Sequence, residues 1–284
     1  EWTKIKDEEL EDLDSLGLSN SKKNSYFKAK SEISSIVSDY KDDKEGISGF
    51  DEDSEEYQDV VDELSKEKQK KIIEEVLNTN LNDEQKAYLY SKYYSSEDSL
   101  DNIVSNGTSM NDYLTYKLDT IDYVADKDED GDTVDGSLAR KKIDYLLSSN
   151  LSTNDIQTIY ENDILGDFDN PKKHKGYKAA KTSGVDINTW LDYSSQEFEA
   201  DYNAKGNAIS GSRKKKVISY VNSLDLSIPQ KAILIKSTNT FKFNDYNNQI
   251  IDYVSNLDMT YDEKVYLLES LDMTVYDDGT VKWK

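Results

Sequence analysis

Four stretches of the chain decide the reading of its fold: Glu67–Lys92 (EKQKKIIEEVLNTNLNDEQKAYLYSK), Leu138–Glu161 (LARKKIDYLLSSNLSTNDIQTIYE), Ser212–Lys236 (SRKKKVISYVNSLDLSIPQKAILIK) and Asn247–Glu269 (NNQIIDYVSNLDMTYDEKVYLLE). Each joins two helix-like segments through a short polar break. Aligned on Asn82, Ser152, Ser227 and Thr260, all four place an N-cap residue at the break. Gln85, Asp155, Gln230 and Glu263 follow three positions later, which completes a capping box in three copies and a near relative of one in the second. Such a box satisfies backbone N–H groups that the first helical turn leaves without partners.

The apolar positions keep the same register. Ile73, Ile143, Ile218 and Ile251 lie nine before the caps, Val76, Leu146, Val221 and Val254 six before, and Leu81, Leu151, Leu226 and Met259 immediately before. Leu89–Tyr90, Ile159–Tyr160, Leu234–Ile235 and Leu267–Leu268 follow them. Steps of three and four residues set each group on one helical face, so the pattern predicts a repeated helical hairpin. The first three copies extend upstream to Ser25-Tyr26-Phe27, Asp112-Tyr113-Leu114 and Thr189-Trp190-Leu191, each opening a further helix-like stretch. Those stretches lead through acidic loops into the hairpins, and the first copy carries an acidic insertion over roughly 47–63.

The expected fold is therefore all-α: an array of about three three-helix units and a terminal helical hairpin. Residues 1–107 form the first unit with its insertion, 108–184 the second with an acidic loop, 185–240 the third, and 241–284 the terminal hairpin. Lys175–Ser183 reads as a short helix after Pro171, and Thr274–Trp283 as a small C-terminal β-hairpin turning at Asp278-Gly279. Elongated and compact arrangements of such units are both compatible with the sequence.

Composition removes much chemistry. The 284 residues include no cysteine and one histidine, His174, so thiolate metal sites, cysteine nucleophiles and multi-histidine sites are excluded. A formal charge of −23 repels nucleic-acid phosphates and anionic membranes, and no apolar run is long enough for a membrane span. The chain starts at Glu1 rather than Met, read as either a trimmed chain or a fragment of a longer polypeptide. Phosphate-binding glycine loops, Gly-x-Ser-x-Gly and His-Glu-x-x-His are missing, and no catalytic residue is expected.

One metal site is conceivable. Asp126, Asp128, Asp130 and Asp132, with Gly131 at the sixth position, follow the spacing of a calcium loop, although Ser137 stands where a bidentate glutamate belongs. The matching loop from Asp201 to Ser212 carries Lys205 in place of a ligand. A solvated turn competes with a structural Ca²⁺ site here, and no other cofactor is implied. Lys70-Lys71, Arg140-Lys141-Lys142 and Arg213-Lys214-Lys215-Lys216 read as local charge compensation for these loops, and His174 as a surface residue among lysines.

The third copy and the terminus carry a resemblance. GYKAAKTSGVDINTWLDY, ISGSRKKKVISYVNSLDLSIPQKAILIK and NNQIIDYVSNLDMTYDEKVYLLESLDMTVYDDGTVKW resemble a repeat block of long phage and prophage structural proteins of Gram-positive bacteria, of the tape-measure or minor structural kind. The likeness covers about 176–284 best, is weaker over 108–162 and is faint in the first copy. It implies a non-catalytic segment of a virion protein, in the virion or the host bacterial cytoplasm, whose partners are virion components or a host protein. The alternative expectation is an acidic nucleic-acid mimic that blocks a host DNA-binding or defence protein, since residues 1–66 hold 20 acidic and 9 basic side chains.

Overall fold

The computed structural model describes residues 2–49, 51–94, 97–167, 171–196, 198–209, 212–238, 251, 254–256, 260–270, 273–276 and 279–283. The protein is all-α with one small antiparallel sheet. Its helices are α1 (Trp2–Ser15), α2 (Asn20–Gly46), α3 (Glu55–Leu77), α4 (Asp83–Ser91), α5 (Glu97–Ser105), α6 (Met110–Thr120), α7 (Ser137–Ser148), α8 (Thr153–Ile159), α9 (Pro171–Thr182), α10 (Ile187–Ser195), α11 (Ser212–Ser223), α12 (Ile228–Thr238) and α13 (Tyr261–Ser270). A π-turn at Tyr160–Ile164 and a 3₁₀ turn at Leu165–Asp167 follow α8. Strands β1 (Met273–Val275) and β2 (Val281–Trp283) pair with Thr274 opposite Lys282, and Gly279 in their turn has φ 80°.

All four expected caps stand one residue before a helix start: Asp83, Thr153, Ile228 and Tyr261. At Asn82 the box is reciprocal, Gln85 N–H donating to Asn82 Oδ1 at 2.9 Å and Asn82 N–H to Gln85 Oε1 at 3.2 Å. Ser227 and Gln230 repeat it, at 3.4 and 3.1 Å. Much of the apolar register holds: Ile73, Val76, Leu89, Ile143, Leu146, Ile159, Val221, Leu234 and Val254 are fully buried, but Leu151 and Leu226 before their caps and Ile251 are half-exposed, and Met259 falls outside the described residues. In the third copy the stripe slips one residue, with Val217 buried and Ile218 half-exposed. The first arm of the terminal hairpin falls largely outside the described residues.

The structure adds leading helices α1 and α5, shows the short helix expected at Lys175–Ser183 as α9 starting already at Pro171, and ends all three by one rule. Leu18, Thr108 and Val185 N–H groups reach back to Leu13, Ile103 and Ala180 carbonyls at 3.0–3.1 Å. Between them Gly17, Gly107 and Gly184 take φ of 67–81°, a left-handed position that a side chain disfavours. Ser19, Ser109 and Asp186 then cap α2, α6 and α10. Counted from those caps, Tyr26, Tyr116 and Tyr193 are equivalent and all buried. This corrects the register of the first copy, where α2 starts at Asn20, ahead of Ser25. The acidic insertion is likewise not a long loop. Residues 47–54 connect two antiparallel helices, and 55–63 form the start of α3, where Ser54 caps a first turn bearing Glu55 and Glu56.

Two compact units result, Glu1–Val124 with Asn154–Asn162, and Ala125–Thr153 with Asp163–Lys284. This grouping crosses the second sequence repeat. Within the first unit α3 packs on α6, and α4 on α5 and α6. Within the second, α7 packs on α10, α12 on α9 and α11, and α13 on α9 and β1. The α3–α6 and α7–α10 contacts are the same contact one repeat apart. The units hold 33 acidic against 15 basic side chains, a net −18, and 25 against 20, a net −5.

Candidate functional site

The expected metal residues lie in a loop that the protein builds twice. In the segment leading to α7, Val134 N–H donates to Asp126 O at 2.8 Å and Asp128 N–H to Asp132 O at 2.8 Å, closing a narrow ladder. In the segment leading to α11, Ile209 N–H donates to Asp201 O at 2.6 Å and Asn203 N–H to Asn207 O at 2.9 Å. Asp128 Oδ1 accepts the Asp130 and Asp132 N–H groups at 3.0 and 2.9 Å. Asn203 Oδ1 accepts those of Lys205 and Asn207 at 2.9 and 3.1 Å. Gly131 and Gly206 sit at the tips with φ 86° and 76°.

A buried serine locks each base. Ser137 Oγ accepts the Asp126 N–H at 2.8 Å and donates to Val134 O at 2.8 Å. Ser212 Oγ accepts the Asp201 N–H at 2.8 Å and donates to Ile209 O at 2.7 Å. An ion pair closes each ring, Lys141 with Asp126 and Lys216 with Asp201 at 2.6 Å. The two loops therefore share their described hydrogen bonds and differ in what they present. Residues 126–137 carry six acids and one lysine, whereas 201–212 carry one of each and expose Tyr202 and Ile209.

This geometry bears on the proposed ligands. Asp126 is paired with Lys141, and one oxygen of Asp128 is taken by two amides. Asp130 and Asp132 are exposed near the tip. Among the described residues no three His, Cys, Asp or Glu side chains converge into a set that could hold a metal ion. The Asn203 loop reaches the same conformation with an amide for a carboxylate, so the loop's shape comes from its own hydrogen bonds.

The basic clusters make short-range pairs: Lys70 with Asp122 at 2.8 Å, Lys71 with Glu67 at 3.8 Å and Lys142 with Asp163 at 3.3 Å. The side chains of His174, Lys214 and Lys215 fall outside the described residues. Among the described residues no helix is long and apolar enough to cross a membrane.

A second recurring device is absent from the sequence-level expectations. The residue four after the cap is Lys86, Lys231 and Lys264 in three copies, with Ile156 in the second. Each lysine Nζ donates to the carbonyl five before its cap: Leu77 at 3.1 Å, Asn222 at 3.0 Å and Ser255 at 2.7 Å. A cation thus meets the orphaned carbonyls and the negative end of the preceding helix. Lys86 is only 3% exposed, and Asn111 Oδ1 also accepts from it at 2.6 Å. Burial holds its ammonium below the ordinary lysine range, with Asp83 opposing that shift. The signal that could have found it is lysine at cap plus four.

First-turn amides of α4, α8 and α12 bind the glycine turns in the same repeated manner. Gln85, Asn154 and Gln230 donate to the carbonyls of Leu16, Asn106 and Ser183 at 3.0, 2.9 and 2.9 Å. Asp186 is the one charged cap among the three that follow the turns. Burial alone would raise its pKa, but the Thr189 hydroxyl and the surrounding N–H donors outweigh that and hold it below the usual carboxylate value. No protein-family model matches the chain, and no curated protein or solved structure matches it either.

Proposed function

We propose that the chain is a non-catalytic segment of a phage or prophage structural protein, a helical repeat that works through protein–protein contacts in the virion. One observation carries this reading: the same turns, caps, lysine ties and serine-locked loops recur along the chain, so its polar groups serve a repeated architecture. The resemblance of residues 176–284 to phage structural repeats supplies the biological setting. The test is proteomic. Particles released from a bacterium carrying the gene are purified, and the chain is quantified in the particles and in the cleared lysate. Enrichment with the major structural proteins is expected; a chain left wholly in the lysate overturns the reading.

A second reading is the nucleic-acid mimic, favoured by the density of acids on α2 and α3. Between Asp39 and Glu63 lie twelve acidic and two basic residues, and those carboxylates are exposed. Such an array would present negative charge along two helices to a basic groove. It predicts capture of a DNA-binding host protein that duplex DNA displaces, and capture that DNA leaves untouched would end it.

A further inference from the structure

Beyond Ile33 on α2 and before Ile72 on α3, none of the described residues is buried. The two helices run on as an arm, about 20 Å from Ser34 to Gly46 at 1.5 Å per residue. Its apolar side chains Ile36, Tyr40, Tyr57, Val60, Val61 and Leu64 are all left half-exposed. A groove of about 160 Å³ opens between the helices, walled by Ile36, Tyr40 and Leu64 and edged by Asp39, Asp43 and Lys68. Lys68 Nζ lies 4.2 Å from the centre of the Tyr40 ring, so the groove already holds one lysine against an aromatic face. Among the described residues the arm is thus an apolar seam left half-exposed, flanked by carboxylates.

The opposite chemistry lies elsewhere in the same chain. Helices α9, α11 and α12 contain eleven lysines and arginines and no acidic residue. α12 packs on both of the others, and Lys178, Lys181, Arg213 and Lys216 are exposed. Such a group of helices is exceptional in a protein of charge −23.

We infer that the α2–α3 arm docks on the basic α9–α11–α12 helices of a second copy of this chain. The seam would be covered by lysine stems while their ammonium groups meet the flanking acids. The two surfaces differ, so the contact is head-to-tail and propagates as an open chain unless its rotation closes a ring. The inference deepens the structural-protein reading by naming the partner.

Sedimentation velocity of the intact chain over a concentration series, at low and high salt, tests it. At low salt the weight-average mass should rise at least about twofold with concentration, as expected for an open head-to-tail contact, and it should fall back at high salt. Asp42→Lys/Asp43→Lys/Glu55→Lys/Glu56→Lys and Lys178→Glu/Lys181→Glu/Arg213→Glu should each abolish the rise, and mixing the two should restore it. Far-UV melts check that both fold; the milder Asp42→Asn/Asp43→Asn/Glu55→Gln/Glu56→Gln replaces the first if it does not. A monomer at every salt concentration, or association undiminished in either variant, overturns the inference. So does heparin binding to the basic helices without self-association, which would assign them to a polyanion. Incorporation into particles is scored separately, so a monomer found in virions defeats this contact and leaves the structural role standing.

Discussion

Over their described residues, the loops at 126–137 and 201–212 are one hydrogen-bond scheme written in two chemistries. Both close through the same ladder, the same serine lock and the same lysine–aspartate pair. One is strongly acidic, while the other is neutral and displays Tyr202 and Ile209. Their agreement in shape despite this difference separates what builds the loop from what it shows to a partner. Serine, glycine, an Asx oxygen and the lysine–aspartate pair recur in both, while the other side chains differ.

The sharpest way to break the comparison is at the locks. Ser137→Ala and Ser212→Ala each strand a backbone N–H and remove a donor to a carbonyl at a buried site. Each should cost about 1–3 kcal/mol in urea unfolding. A loss confined to one loop would show that the shared geometry is not shared energetics. Next come the tips. Gly131→Ala and Gly206→Ala meet no steric neighbour, so only the left-handed backbone is strained, at about 1–2 kcal/mol each.

Smaller effects sharpen the division between frame and display. Asp128→Asn copies the Asn203 solution and should change stability by less than about 0.5 kcal/mol. A larger loss would mean that the charge at Asp128 matters to the frame. Smallest of all is the response to calcium. With Asp126 engaged by Lys141 and Asp128 by two amides, calcium chloride and EGTA should leave the thermal midpoint within about 1 °C, well below the shift expected for 1 kcal/mol. A shift removed by Asp128→Ala would establish a cation site at Asp126–Asp132.

The legible parts of the fold are those fixed by local rules. Asn82-x-x-Gln85 and Ser227-x-x-Gln230 announce their helices because the capping partner lies three residues away. Ile73 and Val76 announce the core because helical spacing sets them on one face of α3. The register of the first copy was hidden because Tyr26-Phe27 imitates the pairs Tyr113-Leu114 and Trp190-Leu191. Only the Gly17–Ser19 turn reveals that Tyr26 matches Tyr116 and Tyr193. Within the acidic insertion a helix start went unread: Ser54 caps Glu55 and Glu56, and α2 gives α3 a surface to pack on. At the candidate site the aspartate spacing was visible, but the pairing of Asp126 with Lys141 and the two amides on Asp128 were not. A spacing rule counts ligands and does not see which donors have already claimed them.

Lys86 also gives the first hairpin a built-in reporter. Its amine is sealed beneath Asn111 and the end of α3, so an acylating reagent can reach it only when those helices part. The rate at which Lys86 becomes labelled, against that of exposed Lys92 in the same peptide region, would therefore read out how often this hairpin opens in the intact protein.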